Sequence, residues 1–394
     1  MKDFNLLIIL LALFSGCQDF WGKKTDLGFI DVPKYGDDIV AYIPIQPSLT
    51  GFANPVDVLA GYDELLYVVD AGANQIIQYD QAGRELSRFT LPKVKAIAQD
   101  RKLNLLAIAG FDTVIMGNPI TLNAIFRIAL PAYPYSLNGA RITQKIIHPF
   151  YFKSVVSPSD LSVEIRDIAV LADNSYYFVR KGNSNSSVQF GGPDDSIVLM
   201  DANDVFLGTL SVTTTQGTFN NYFRQPLAIT AYAQPPQTPF VSSSRDFFVS
   251  SGDKFITLSV QNIRVTNGQD GLEYSLNADL GSMDTSKASG FLYSPQRFGQ
   301  ATGLTYSGDG TNYLFVADSQ KDSIYVFTNT GLEGVTPPPS AAVRKNIRVS
   351  FGGTGTAPVQ FQQPVAVAYL NKIVYICDKG NKRISRFKLT TDFN

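Results

Sequence analysis

The sequence predicts an all-β fold built by radial repetition, and three observations predict it. Phenylalanine (27) and tyrosine (19) are abundant while methionine (4) is scarce. Aromatic and β-branched side chains suit a pleated, half-buried surface. Glycine (31) and proline (21) supply the turns that such a fold needs. One strand–turn–strand unit also recurs three times along the chain with the same internal spacing.

Composition bounds the remaining choices. The 394 residues are 44% apolar and 17% charged, which marks a globular chain. Net charge is −1, from 33 basic and 34 acidic residues. A nucleic-acid partner is not expected, because neutralising a phosphate backbone takes clustered Lys and Arg. The two cysteines are Cys17 and Cys377. With Cys17 modified, as argued below, no disulfide framework is possible and the fold must rest on its core.

The repeat is read from residues 55–89, 301–330 and 364–389. Each has an alternating apolar strand, a turn, a second strand ending in Asp, a polar turn and a third strand. Asp70, Ile76 and Tyr79 are spaced six and three apart. Asp318, Ile324 and Phe327 repeat that spacing, as do Asp378, Ile384 and Phe387. Internal periodicity of this kind marks propellers and solenoids. The unit resembles the NHL repeat: Pro, an apolar strand, V-x-D, a Gly/Asn turn, R-I and an aromatic. The clearest copy runs over 351–387, and the resemblance covers about a quarter of the chain. It implies a six-bladed β-propeller of the TolB-like and SMP-30-like class.

Three weaker units occupy the middle. Residues 95–109, 124–130 and 140–147 supply four strands. So do IRDIAVL, SYYFVRK, SIVLMDA and VFLGTL within 164–210, and LAITAYA, RDFFVSS, KFITLSV and LEYSLNADL within 226–280. The total is six blades over a domain of 38–394. Longer insertions fall at 182–194, 234–244, 281–298 and 332–343, where binding loops are expected. The last blade has only three strands before the chain ends. Residues 38–46 (DIVAYIPIQ) are expected to add the fourth, because an unpaired edge would otherwise remain.

The N-terminus reads as a targeting segment. Lys2 precedes an apolar run over 4–14 that is too short to span a bilayer but suits a signal peptide. Ser15-Gly16-Cys17 resembles the lipobox of bacterial lipoproteins, although Phe14 stands where Leu is usual. The resemblance implies a signal peptide over 1–16, lipidation of Cys17 and a tether over 17–37. Asp19 lies one place beyond the inner-membrane retention position, so an outer-membrane address is expected. Whether the domain faces the periplasm or the exterior stays open.

Few residues promise chemistry. Asp70, Asp318 and Asp378 are expected to cap the turn after the second strand, since the Asp recurs wherever the turn does. His148 is the only histidine, so the His-rich zinc site of NHL-type amidating lyases cannot be assembled. No G-x-S-x-G accompanies it. Cys377, in IVYICD, reads as packed core. Calcium-dependent lactonases of the six-bladed class use a Glu with several Asn or Asp at the central channel. Asn54, Asp57, Glu164 and Asp167 are the candidates here, at no recognisable spacing. The basic stretch Arg344, Lys345, Arg348, Lys372, Lys379, Lys382, Arg383, Arg386 and Lys388 reads as a solvated edge. The expected function is a membrane-anchored, non-enzymatic binding or scaffold module without a cofactor. Its partner would be a protein, peptide or glycan in the envelope. A calcium-dependent hydrolase is the alternative.

Overall fold

The computed structural model describes residues 40–115, 117–147, 163–182, 195–233, 242–269, 271–339 and 341–393. The signal segment, Cys17, the tether and His148 lie outside the described residues.

Six blades account for the described strands, five of four antiparallel strands and one that an added hairpin widens to six. Strand β1 (Tyr42–Leu49) comes first in sequence but belongs to the last blade. Blade 1 holds β2 (Pro55–Ala60), β3 (Leu66–Asp70), β4 (Gln75–Tyr79) and β5 (Glu85–Thr90). Blade 2 holds β6 (Val94–Gln99), β7 (Leu105–Ile115), β8 (Asn118–Ala129) and β9 (Arg141–Ile147). Blade 3 holds β10 (Glu164–Val170), β11 (Tyr176–Lys181), β12 (Ser196–Met200) and β13 (Phe206–Thr209). A short hairpin, β14 (Val212–Thr214) and β15 (Gly217–Phe219), follows. Blade 4 holds β16 (Pro226–Ala231), β17 (Phe247–Ser251), β18 (Val260–Gly268) and β19 (Gly271–Leu276). Blade 5 holds β20 (Ala301–Tyr306), β21 (Tyr313–Asp318), β22 (Ser323–Thr328) and β23 (Phe351–Gly352). Blade 6 holds β24 (Pro364–Leu370), β25 (Ile373–Asp378) and β26 (Arg383–Leu389), completed by β1.

The inner strands β2, β6, β10, β16, β20 and β24 each touch the next, and β24 touches β2, so the blades form a closed ring. Strand β1 pairs antiparallel with β26, from Tyr42 opposite Leu389 to Leu49 opposite Ile384. Arg386 reinforces this closure. Its guanidinium donates to the carbonyls of Pro47 on β1, at 2.6 Å, and of Ala82 in blade 1, at 3.2 Å.

Hydrophobic burial follows from the ring. Each blade is sandwiched between two others, so both faces of its middle strands are covered. Strands β3 (LYVVD) and β12 (SIVLM) are accordingly buried at every position rather than at alternate ones. Among the described residues the core divides into one apolar cluster per blade interface. Tyr67 and Phe126 meet between blades 1 and 2, and Tyr177 and Phe247 between blades 3 and 4. Phe315 and Phe387 meet between blades 5 and 6. Fully burying one such side chain stabilises by roughly 1.5–3 kcal/mol.

One expectation is corrected and one element is additional. In blade 4 the third strand is Val260–Gly268, not KFITLSV over 254–260. Strand β17 pairs from Ser250 opposite Val260, so residues 254–259 form the turn, with Phe255 96% exposed. Alternation alone could not tell the two frames apart. Hairpin β14–β15 was not anticipated; β14 pairs in parallel with β19 and widens blade 4 to six strands.

Two of the expected insertions are packed rather than open. The stretch after the short 3-10 helix Ala278–Gly281 sends Leu292, Tyr293 and Phe298 into the interface between blades 4 and 5. Within 332–343, Val335 is buried and Glu333 pairs with Arg297. The insertions at 182–194 and 234–244 fall mostly outside the described residues.

Candidate functional site

The axis of the ring encloses a cavity of ≈ 120 Å³ lined by residues from all six inner strands. Its wall is set by a repeated backbone feature. The inner strand of every blade shifts register against its neighbour at the same place, between Pro55 and Asp57 in blade 1 and between Pro364 and Ala366 in blade 6. A bulge adds a residue and re-aims its side chain. The residues so placed are Val56, Lys95, Arg166, Leu227, Thr302 and Val365, and all line the cavity.

The next position along each strand is Asp57, Ala96, Asp167, Ala228, Gly303 and Ala366. Small residues dominate because adjacent inner strands approach closely here. A Cβ at Gly303 would lie 2.7 Å from the Ala366 Cα. The two carboxylates fasten blade to blade. Asp57 Oδ1 accepts from the Val58 N–H and Oδ2 from the Ile97 N–H in blade 2, both at 2.8 Å. Asp167 repeats the device, accepting from the Ile168 N–H and from the Ile229 N–H in blade 4, both at 2.8 Å.

Burial pushes Asp57 up from 3.8 to about 6, against the opposing pull of its two backbone hydrogen bonds. Asp167 rises to about 8, first from burial and then from the charge of Asp57. Asp167 therefore senses the Asp57 carboxylate across the channel.

The four sequence candidates are not assembled into one site. Asp57 and Asp167 do face the channel, but both oxygens of each are engaged by backbone N–H groups. Glu164 is committed to Arg166, whose Nη2 lies 2.9 Å from its carboxylate. Asn54 lies ahead of the inner strand, where its backbone N–H donates to Asp70. Calcium takes six to eight oxygen ligands. No group of three or more His, Cys, Asp or Glu suited to a metal exists among the described residues. With Lys95 and Arg166 beside the carboxylates as well, this donor set does not fit calcium.

Asp70, Asp318 and Asp378 sit away from the channel. Asp70 accepts from the N–H groups of Ala53, Asn54, Gly72 and Ala73. Asp318 does the same for Gly299, Gln300, Gln320 and Lys321. Asp378 accepts from the Gln362 N–H and from the Asn381 and Arg383 side chains. Each ties the segment leading into its blade to a turn within that blade. Cys377 is fully buried, and desolvation raises its thiol well above the ordinary range, so it stays protonated. Within the basic stretch, Arg383 holds loop carbonyls, Arg386 bridges β1 and blade 1, Arg348 pairs with Glu333, and Lys372 with Asp392.

Sequence reading missed two sets of residues. One is the channel pair Lys95 and Arg166, for which a charge at the second or third position of an inner strand was the available signal. The other is a polar residue just before the third strand, or within it in blade 2, which holds the segment leading into the next blade. Asn74 accepts from the Lys93 N–H and Asn123 donates to the Val163 carbonyl. Asp195 accepts from the Gln225 N–H and Asp322 from the Gln363 N–H.

No protein-family model matches the chain, and no curated protein matches it. Solved structures do. A structural-genomics protein of unknown function from Bacteroides thetaiotaomicron superposes with TM-score 0.50 at 14% identity, over 89% of this chain and 76% of that one. A chain provisionally assigned as a gluconolactonase gives TM-score 0.51 at 11% identity, over 92% and 95%. A luciferin-regenerating enzyme gives TM-score 0.50 at 10% identity, over 89% and 95%. At these identities the likeness is one of fold: the chain is a six-bladed β-propeller.

Proposed function

We propose that this chain is a non-enzymatic binding module of the bacterial cell envelope. It would be held at the outer membrane through a lipidated Cys17 and would present an NHL-like propeller to a protein, peptide or glycan partner, in the manner of an accessory subunit. One observation carries the reading. The side chains that could do chemistry at the channel are occupied in holding the ring, while the cavity stays open and keeps one exposed cation, Lys95, at its lining. Asp57 and Asp167 fasten blades, Glu164 restrains Arg166, and Lys95 alone of the charged lining residues makes no ion pair or hydrogen bond among the described residues.

The test is fractionation and capture with the full chain. Wild type is expected in the membrane fraction and Cys17→Ala in the soluble one. Crosslinking in cells, followed by purification, is expected to recover one envelope component at a fixed ratio. Metal-dependent lactone hydrolysis that is lost in Asp57→Asn would overturn the reading in favour of a hydrolase. A Cys17→Ala variant that stays in the membrane fraction would remove the anchor.

A further inference from the structure

We infer that the channel mouth binds a small anion through Lys95 and Arg166, with the ligand carrying a carboxylate or a phosphate. The inference rests on the binding-module reading and names the ligand chemistry of the same cavity.

The bulge ring is chemically lopsided. Blades 1, 5 and 6 contribute Val56, Thr302 and Val365, and the Thr302 hydroxyl is turned onto the Pro364 carbonyl. Blade 4 contributes Leu227. Both charges come from adjacent blades, Lys95 from blade 2 and Arg166 from blade 3, and both are cationic.

Arg166 is held in place rather than free. Its Nε donates to Glu164 at 3.0 Å and its Nη1 to the Pro226 carbonyl at 3.3 Å, which spans blades 3 and 4. Part of its donor fork remains open. Lys95 is exposed, and its ammonium keeps all its donors. Glu164 feels Arg166, Lys95 and Lys181 together, so three cations surround one carboxylate. The mouth therefore carries excess positive charge in a walled cavity, where fields are focused rather than screened.

Near neutral pH the carboxylate pair carries one negative charge against the two lining cations. Asp167 is largely protonated there, leaving Asp57 as the ionised member of the pair. A metal cation is the poorer occupant, since it would meet Lys95 and Arg166 first. A cavity of ≈ 120 Å³ suits an acid of a few heavy atoms rather than a polymer segment. Carboxylate and phosphate both match the pairing of a planar fork with a mobile ammonium.

The experiment is calorimetric titration of the full chain with inorganic phosphate and, separately, with glycerate. Saturable binding of at least one probe is expected in the micromolar-to-millimolar range, weakening as salt is raised. Lys95→Ala is expected to weaken it by about tenfold or more, the loss of one charge-assisted hydrogen bond. Lys345→Ala, remote from the channel, is expected to leave it unchanged. Preference for phosphate over glycerate, or the reverse, assigns the ligand's acid group. The inference fails if neither probe binds saturably, or if Lys95→Ala binds like wild type. Neither failure touches membrane anchoring or partner capture, so the binding-module reading would stand or fall separately.

Discussion

Blades 1, 5 and 6 differ from blades 2, 3 and 4 in how they hold the chain, and the difference separates architecture from site. In the first group an Asp ends the second strand and gathers the segment leading into its own blade. The equivalent residues opposite the start of the inner strand are Ala109, Arg180 and Ser251 in the second group. Ser251 keeps part of the task by donating to the Arg224 carbonyl. In blades 2 to 4 the lead-in segment is held chiefly by the preceding blade, through Asn74, Asn123 and Asp195, and blade 6 adds that device, Asp322, to its own Asp378. The second group is also where Lys95 and Arg166 face the channel. A strong repeat signature thus reports how a turn is built, and its loss marks where the ring departs from pure architecture.

Removing one holding group from each set tests that contrast. Asp318 is fully buried and accepts four backbone N–H groups. Asp318→Ala removes a buried acceptor from four partly buried donors, which costs about 3 kcal/mol. Among the described residues Asp195 accepts from two, Gly182 at 3.1 Å and Gln225 at 2.7 Å, at a more open position. Asp195→Ala is expected to cost about 1 kcal/mol. Shifts in denaturant midpoint measure both. Equal costs would mean that the two modes of fastening are interchangeable and the contrast between blade groups is empty.

The pair Asp57 and Asp167 spans the two groups, one from blade 1 and one from blade 3, and sharpens the contrast through pH. Both have folded-state pKa values above the ordinary 3.8, about 6 and about 8. The folded state therefore binds more protons than the unfolded state between pH 4 and 8. The stability they contribute is fully present below pH 4 and is lost as pH rises, through about 6 for Asp57 and about 8 for Asp167. Melting temperature is expected to fall by several degrees, on the order of 5 °C, from pH 5 to pH 9. Asp167→Asn should flatten the upper part of that slope and Asp57→Asn the lower part. A double variant with the wild-type slope would show that the dependence comes from elsewhere in the ring.

The architecture was legible because its causes are periodic. The spacing of Asp70, Ile76 and Tyr79 recurs, both faces of the middle strands are apolar, and β1 was marked by its own alternation beside a three-stranded blade. The misplaced strand in blade 4 shows the limit, since KFITLSV alternates as well as the true strand and only pairing to β17 decides. Of the candidate site, Asp57 and Asp167 were legible as channel residues, but not their engagement by N–H groups of the next blade, which depends on ring packing. Lys95 and Arg166 were illegible for the opposite reason. A lone charge in an apolar strand looks like an edge residue until the bulge is seen to aim it at the axis.

The smallest expected effect is the most discriminating for the site. Lys95 makes no ion pair or hydrogen bond among the described residues and is exposed at the mouth. Lys95→Ala should therefore leave the denaturant midpoint within about 0.5 kcal/mol of wild type. Arg166 bridges Glu164 and the Pro226 carbonyl at 21% side-chain exposure, so Arg166→Ala should cost about 1 kcal/mol. The order matters more than the sizes. If Arg166→Ala costs more, Arg166 belongs partly to the ring and Lys95 is the side chain left over for a ligand. If Lys95→Ala costs as much or more, the ammonium is satisfied by the fold itself, and the channel cations of the divergent blades are architecture like the aspartates of the others.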